Sequence, residues 1–285
     1  MAIFPNTYMD ATVVIGSLQA NSQITWMASG FLVGRFEGCD PNGNKLYTIY
    51  LVTNKHVING RKQIQLQFNS STGVQVLSCS LWNGNVQQHS VHPNPNIDVV
   101  ACRIDINGAI MNGTIAKFFE LDTMSLSLQD MKNTGVCEGT LVYALGFPVS
   151  LSNELVDNTF KSPVCRLGCI SKIEHTYHGS PTNYYIIDAQ TFPGNSGGPV
   201  INRPEFISVD GTPHNDKSNL IGIVSAYLPY RENLCSTQTG RIRTQTEENS
   251  GLTIIFPVDY IANTVEIERT RSTGLQPRQK LPGLQ

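Results

Sequence analysis

Short apolar runs recur along most of this chain, each closed by glycine, proline or asparagine. That punctuation limits the fold more than any other feature. Runs of this length suit strands better than helices. Residues 11–16, 25–36, 46–52 and 62–68 read as strands, 74–81 and 85–91 as weaker ones, and 97–106 as a largely apolar strand with Asp98 near its start. The clearest is 62–68, where Ile64, Leu66 and Phe68 fall on one face and Gln63, Gln65 and Gln67 on the other. The pattern lapses over 107–134, apart from a short helix near 127–131, and then resumes in six further runs: 135–146, 164–174, 184–191, 198–202, 220–227 and 252–256.

Two sets of short strands predict an all-β protein of two packed six-stranded antiparallel barrels. The expected division is a first barrel over 1–106, a linker over 107–134 and a second barrel over 135–257. Pro257 stops the last strand, and 258–269 has helical spacing with Val258, Ile261, Ala262 and Val265 on one stripe. A flexible tail is expected over 270–285. With 24 glycines, 15 prolines and 15% charged residues, the composition favours strands and turns over long helices. The formal net charge of -2 argues against nucleic-acid binding and against attraction to anionic membranes. The first 17 residues have neither the basic nor the apolar region of a secretory signal, and no run is long enough to span a membrane. The expectation is a cytoplasmic protein with free thiols, no metal and no cofactor, its seven cysteines lacking metal-site spacing.

The chemistry centres on Gly194-Asn195-Ser196-Gly197-Gly198-Pro199. A serine nucleophile needs a base and nearby N–H donors for a developing oxyanion. Glycines give a substrate access to the backbone, although the same residues also make ordinary turns. Among six histidines, His89, His92, His175, His178 and His214 sit in polar segments and read as solvated. The pairs His89/His92 and His175/His178 lack the further ligands of a metal site. His56 follows an apolar strand and a small turn, where a strand end delivers a side chain to a cleft. Asp98 opens an apolar run, a costly place for a carboxylate without a partner. Asp105 is a poorer candidate, on the opposite face of a regular strand and close to Arg103.

Thr53-Asn54-Lys55-His56-Val57, Asn96-Ile97-Asp98-Val99-Val100-Ala101 and the Ser196 hexapeptide, in that order, resemble the motifs of trypsin-like (chymotrypsin-fold) serine proteases. Ser29-Gly30-Phe31-Leu32-Val33, Gly146-Phe147-Pro148, Gly222-Ile223-Val224-Ser225 and Phe256-Pro257 extend the resemblance. It is closer to intracellular and bacterial Htr-type branches than to digestive trypsins. It implies Ser196 as nucleophile, His56 as general base, Asp98 as its orienting acid, and the N–H groups of Gly194 and Ser196 as oxyanion hole. It also implies a primary pocket lined by Gln190, Ser225, Tyr227 and Gly251, suited to a small or medium uncharged side chain.

Val57 stands where secreted members have a disulfide cysteine, and neutral Asn195 where zymogen-activated members have an aspartate. Activation by cleavage of the N-terminus is therefore not expected. About 16 residues follow Arg269, so the expected form is one without a peptide-binding PDZ domain. Polar loops are expected at 203–219 and 228–250, where a regulatory protein partner would act. The alternative is a catalytically weak or inactive protease-fold binding or scaffold protein. An α/β-hydrolase esterase is disfavoured, since its histidine follows its serine.

Overall fold

The computed structural model describes residues 5–149, 162–179, 182–205, 213 and 215–274. The first β unit contains β1 (Thr12–Leu18), β2 (Ile24–Cys39), β3 (Lys45–Thr53), β4 (Gln63–Ser70), β5 (Gly73–Ser80), β6 (Trp82–Asn83), β7 (Val86–Gln87), β8 (Ser90–Val91) and β9 (Val100–Arg103). Two short strands of the connecting segment, β10 (Thr114–Ile115) and β11 (Phe119–Glu120), join its sheet. That sheet has nine strands and a main path β10-β4-β1-β2-β3-β9-β8, with β5 on β4 and β11 parallel to β2. β6 and β7 form a separate hairpin. The second unit is a closed six-stranded barrel, β12 (Leu141–Gly146), β13 (Val164–Lys172), β14 (Tyr185–Asp188), β17 (Ile242–Pro257), β16 (Leu220–Cys235) and β15 (Pro199–Asn202), in that order round the ring.

Alternation explains how each unit builds its core. Ile64, Leu66 and Phe68 point into a core with Val13, Ile15, Leu32 and Leu51. Val142, Ala144, Ile187, Val200 and Val224 fill the second barrel. A third cluster lies between the units, joining Phe31, Val33, Tyr50 and Val52 of the first to Tyr143, Leu145, Ile201 and Ile223 of the second. The C-terminal helix, Val258–Thr273, adds its stripe of Val258, Ile261, Ala262 and Val265 to that middle core.

Four expectations need correction. The run at 97–106 is a strand only over Val100–Arg103, because Asp98 turns aside to meet His56. The run at 85–91 breaks into two two-residue pieces. The segment 228–250 is no loop. β16 and β17 continue past the barrel as a two-stranded ribbon, paired from Gly222↔Pro257 out to Cys235↔Ile242. The helix runs four residues further than expected, to a left-handed Gly274, φ 69°. Part of the loop at 203–219, and residues 275–285 of the expected tail, lie outside the described residues.

Candidate active site

His56 sits in a one-turn helix, Lys55–Ile58, directly after β3. Its backbone N–H donates to Asp98 Oδ1 at 3.1 Å, and its ring Nδ1 lies 2.5 Å from Asp98 Oδ2. The carboxylate therefore fixes both the position and the tilt of the ring, leaving Nε2 as the nitrogen for proton transfer. Asn54 Nδ2 donates to the Asp98 carbonyl at 2.7 Å and holds the aspartate's own backbone. Burial pushes the Asp98 carboxyl up, but the bonds and charge from His56 and the N–H groups of His56 and Lys55 outweigh it. Its pKa lies below the ordinary carboxylate value.

Ser196 comes from the second unit, on the turn between β14 and β15. Glycine is required twice in that turn. Gly194 has φ 101°, and a Cβ there would come within 2.4 Å of the Phe147 carbonyl oxygen. Gly197 has φ 84°, and its Cβ would come within 2.1 Å of the Ser29 carbonyl oxygen. The Pro193 carbonyl accepts from Val149 N–H at 2.8 Å, and in a trans peptide this turns the Gly194 N–H the opposite way. No protein group among the described residues accepts the N–H of Gly194 or of Ser196. Two adjacent free donors beside a serine are what an oxyanion needs. The Ser196 hydroxyl donates to the Ser225 carbonyl at 3.0 Å, with no hydrogen bond to His56. The Ser225 hydroxyl lies 3.5 Å from Asp98 Oδ2, so Ser225 touches both halves of the constellation.

Asn195 is fully buried. Its Oδ1 accepts from Phe192 N–H at 3.4 Å, and its Nδ2 has no protein partner among the described residues. Gln190 is exposed, whereas the next residue, Thr191, is buried with its hydroxyl 2.8 Å from that of buried Thr253. Gly251 accepts the Ala189 N–H through its carbonyl at 3.1 Å. Tyr227 pairs across the ladder with Thr253, and its hydroxyl donates to Glu247 Oε1 of the ribbon at 3.3 Å. Asp105, the poorer candidate, accepts the Asn107 N–H at the start of the next helix.

A trypsin-like peptidase domain model matches residues 28–205, more than half of the chain. The chain belongs to the trypsin-like peptidase family. Among solved structures it is similar to the MamO protease domain from Magnetospirillum magneticum in its apo form. The two share 15% identity at a TM-score of 0.46, over 90% of this chain and 96% of that one. It is also similar to the HtrA-type protease AlgW with a tripeptide, at 18% identity and a TM-score of 0.46, over 93% of this chain and 61% of that one. No curated protein sequence matches it.

Several residues around this peptidase site escaped the sequence reading. Ser29 donates from its hydroxyl to the Gly194 carbonyl at 2.7 Å and from its N–H to the Ser196 carbonyl at 3.0 Å. It also accepts the Phe147 N–H at 2.8 Å, while Thr53 holds the Ser29 carbonyl at 2.8 Å. Asn249 of the ribbon donates to the Thr191 carbonyl at 2.6 Å. Ser29, Thr53 and Phe147 were visible only as parts of matching motifs, and Asn249 carried no signal.

The histidines at 89 and 92 are a correction, for both are buried. His89 Nδ1 lies 3.3 Å from the Leu81 carbonyl oxygen, and His92 packs edge-on to Tyr260. His175 is half-buried and His178 exposed beside Glu174, whereas His214 lies outside the described residues. No cluster of metal-ligating side chains occurs among the described residues.

Proposed function

We propose that this trypsin-like peptidase is a serine endopeptidase working through a Ser196-His56-Asp98 triad and an acyl-enzyme. The observation that carries the reading is the two-point hold of Asp98 on His56, through ring and backbone, in a chain of this family. The Ser196 hydroxyl leaves the Ser225 carbonyl and turns toward His56 Nε2, which takes its proton as the oxygen attacks the scissile carbonyl. The free N–H groups of Gly194 and Ser196 receive the oxyanion. His56 then protonates the departing amine, and water brought in by the same base releases the acid product. An uncharged side chain of small or medium size enters the pocket of Gln190, Ser225, Tyr227 and Gly251. Neutral Asn195 leaves no carboxylate for a freshly cut ammonium, so the hole forms without N-terminal processing.

The second reading, a protease-fold binding protein, draws on the Ser196 hydroxyl resting on Ser225. Labelling with a fluorophosphonate separates the two. Wild-type protein with Met1 retained should be labelled at Ser196, and Ser196→Ala should not. Absence of label at Ser196, with and without cellular extract, would leave the binding protein standing.

A further inference from the structure

A cleft of about 820 Å³ opens beside His56 and Asp98. One wall is the segment carrying Lys55, Arg61 and Lys62; the other is the β6–β7 hairpin with Trp82. Among the described residues, Asp98 is the only carboxylate lining it, and that group is already held by His56. Among the described residues, the hydrogen-bond partners of Lys55 and Arg61, two of the three cations, are neutral groups. Lys55 Nζ donates to the Pro95 carbonyl at 3.0 Å; Arg61 donates to the Val57 carbonyl at 3.1 Å and the Ser17 hydroxyl at 3.0 Å. No ion pair involves any of the three among the described residues. His89 at the back adds no charge, since burial pushes its pKa down. This positive excess stands in a chain whose net charge is -2, so it is local rather than a general basic character.

We propose that the cleft is a substrate subsite that selects acidic side chains close to the cleaved bond. The inference rests on the peptidase reading, because the cleft shares His56 with the proposed triad and what lies along it is the substrate polypeptide. Arg61 is suited to the role. Its backbone and Ser17 contacts fix the guanidinium without neutralising it, so it meets a carboxylate pre-oriented. Trp82 is 40% exposed at the rim and edge-on to His89, with ring centroids 6.2 Å apart. It provides an apolar wall and a fluorescent reporter.

The test is a series of peptides of one neutral sequence with a single glutamate moved through the four positions on each side of the cleaved bond. The expected result is a rise in kcat/KM of about three- to tenfold at one or two adjacent positions. It should fade toward 1 M salt, where the screening length falls to about 3 Å. Arg61→Glu with Lys62→Glu should invert the preference, so that lysine outperforms glutamate at the same positions. A pentaglutamate peptide should also shift Trp82 fluorescence at low salt, with Trp82→Phe removing the change; this readout needs no catalysis. Cleavage indifferent to glutamate, or a preference unmoved by charge reversal, overturns the subsite while leaving the peptidase reading intact. Pentaglutamate binding without Ser196 labelling keeps an acidic-peptide site and removes the peptidase reading. Failure of pentaglutamate to bind overturns the inference.

Discussion

Asp98 does two jobs at once, and they separate under mutation. Its carboxylate orients His56, so Asp98→Asn should lower kcat by about 10⁴-fold by holding the wrong tautomer. It also bonds the His56 N–H, which is a contribution to stability. The folded pKa lies below the ordinary value of about 3.9, so that contribution is complete above about pH 4 and lost as pH falls through the lower folded value. The melting-temperature gap between wild type and Asp98→Asn should therefore be widest near neutrality and narrow on acidification below about pH 4. A gap that widens toward low pH would contradict the assignment of the shift to the His56 contacts.

His56, Asp98 and Ser196 could be singled out because each sits in a motif a few residues long. Ser29 was not legible as a site residue, since its partner Gly194 is 165 residues away and a serine in a strand carries no mark of that contact. His89 and His92 misled for the opposite reason. Their neighbours are polar, yet the chain folds so that Trp82 and Tyr260 cover them.

Among the elements, the ribbon formed by the outer parts of β16 and β17 was the hardest to foresee. Arg241-Ile242-Arg243-Thr244-Gln245-Thr246-Glu247-Glu248 has no apolar alternation, because both faces of the ribbon are wet and neither is matched to a core. The ribbon is nevertheless tied to the site. Asn249 at its base reaches the Thr191 carbonyl, five residues before Ser196, and accepts the Gly251 N–H at 2.9 Å. Asn249→Ala leaves that half-buried strut unmade. We expect a loss of about 1–3 kcal/mol in stability. Ser196 phosphonate labelling should slow alongside it, whereas a control substitution at the exposed tip residue Thr239 should change neither. Equal labelling rates in wild type and Asn249→Ala would detach the ribbon from the site.

For the whole molecule, the two β units, the closed second one among them, and the helical stripe at 258–265 were legible from hydrophobic period, because burial leaves that imprint on sequence. The ionic seam joining the helix to the first unit left none. Arg35 is buried and bonded to both Asp122 and Glu266. Arg269 grips Glu37 with two 2.8 Å bonds, and fully buried Glu268 accepts from Ser90 and Arg271. Arg35→Met should cost about 3 kcal/mol, since it removes the guanidinium that two partly buried carboxylates share. Unfolding in urea would measure the loss as a lower midpoint with little change in slope.

That seam also sets a schedule. Ribosomes deliver this polypeptide from its amino end, so Arg35, Glu37 and Ser90 emerge long before Glu266, Glu268 and Arg269 can meet them. The unit bearing His56 and Asp98 is left unfinished until the segment 258–273 clears the exit tunnel. The segment made last is thus the one that completes the ionic contacts of the unit made first.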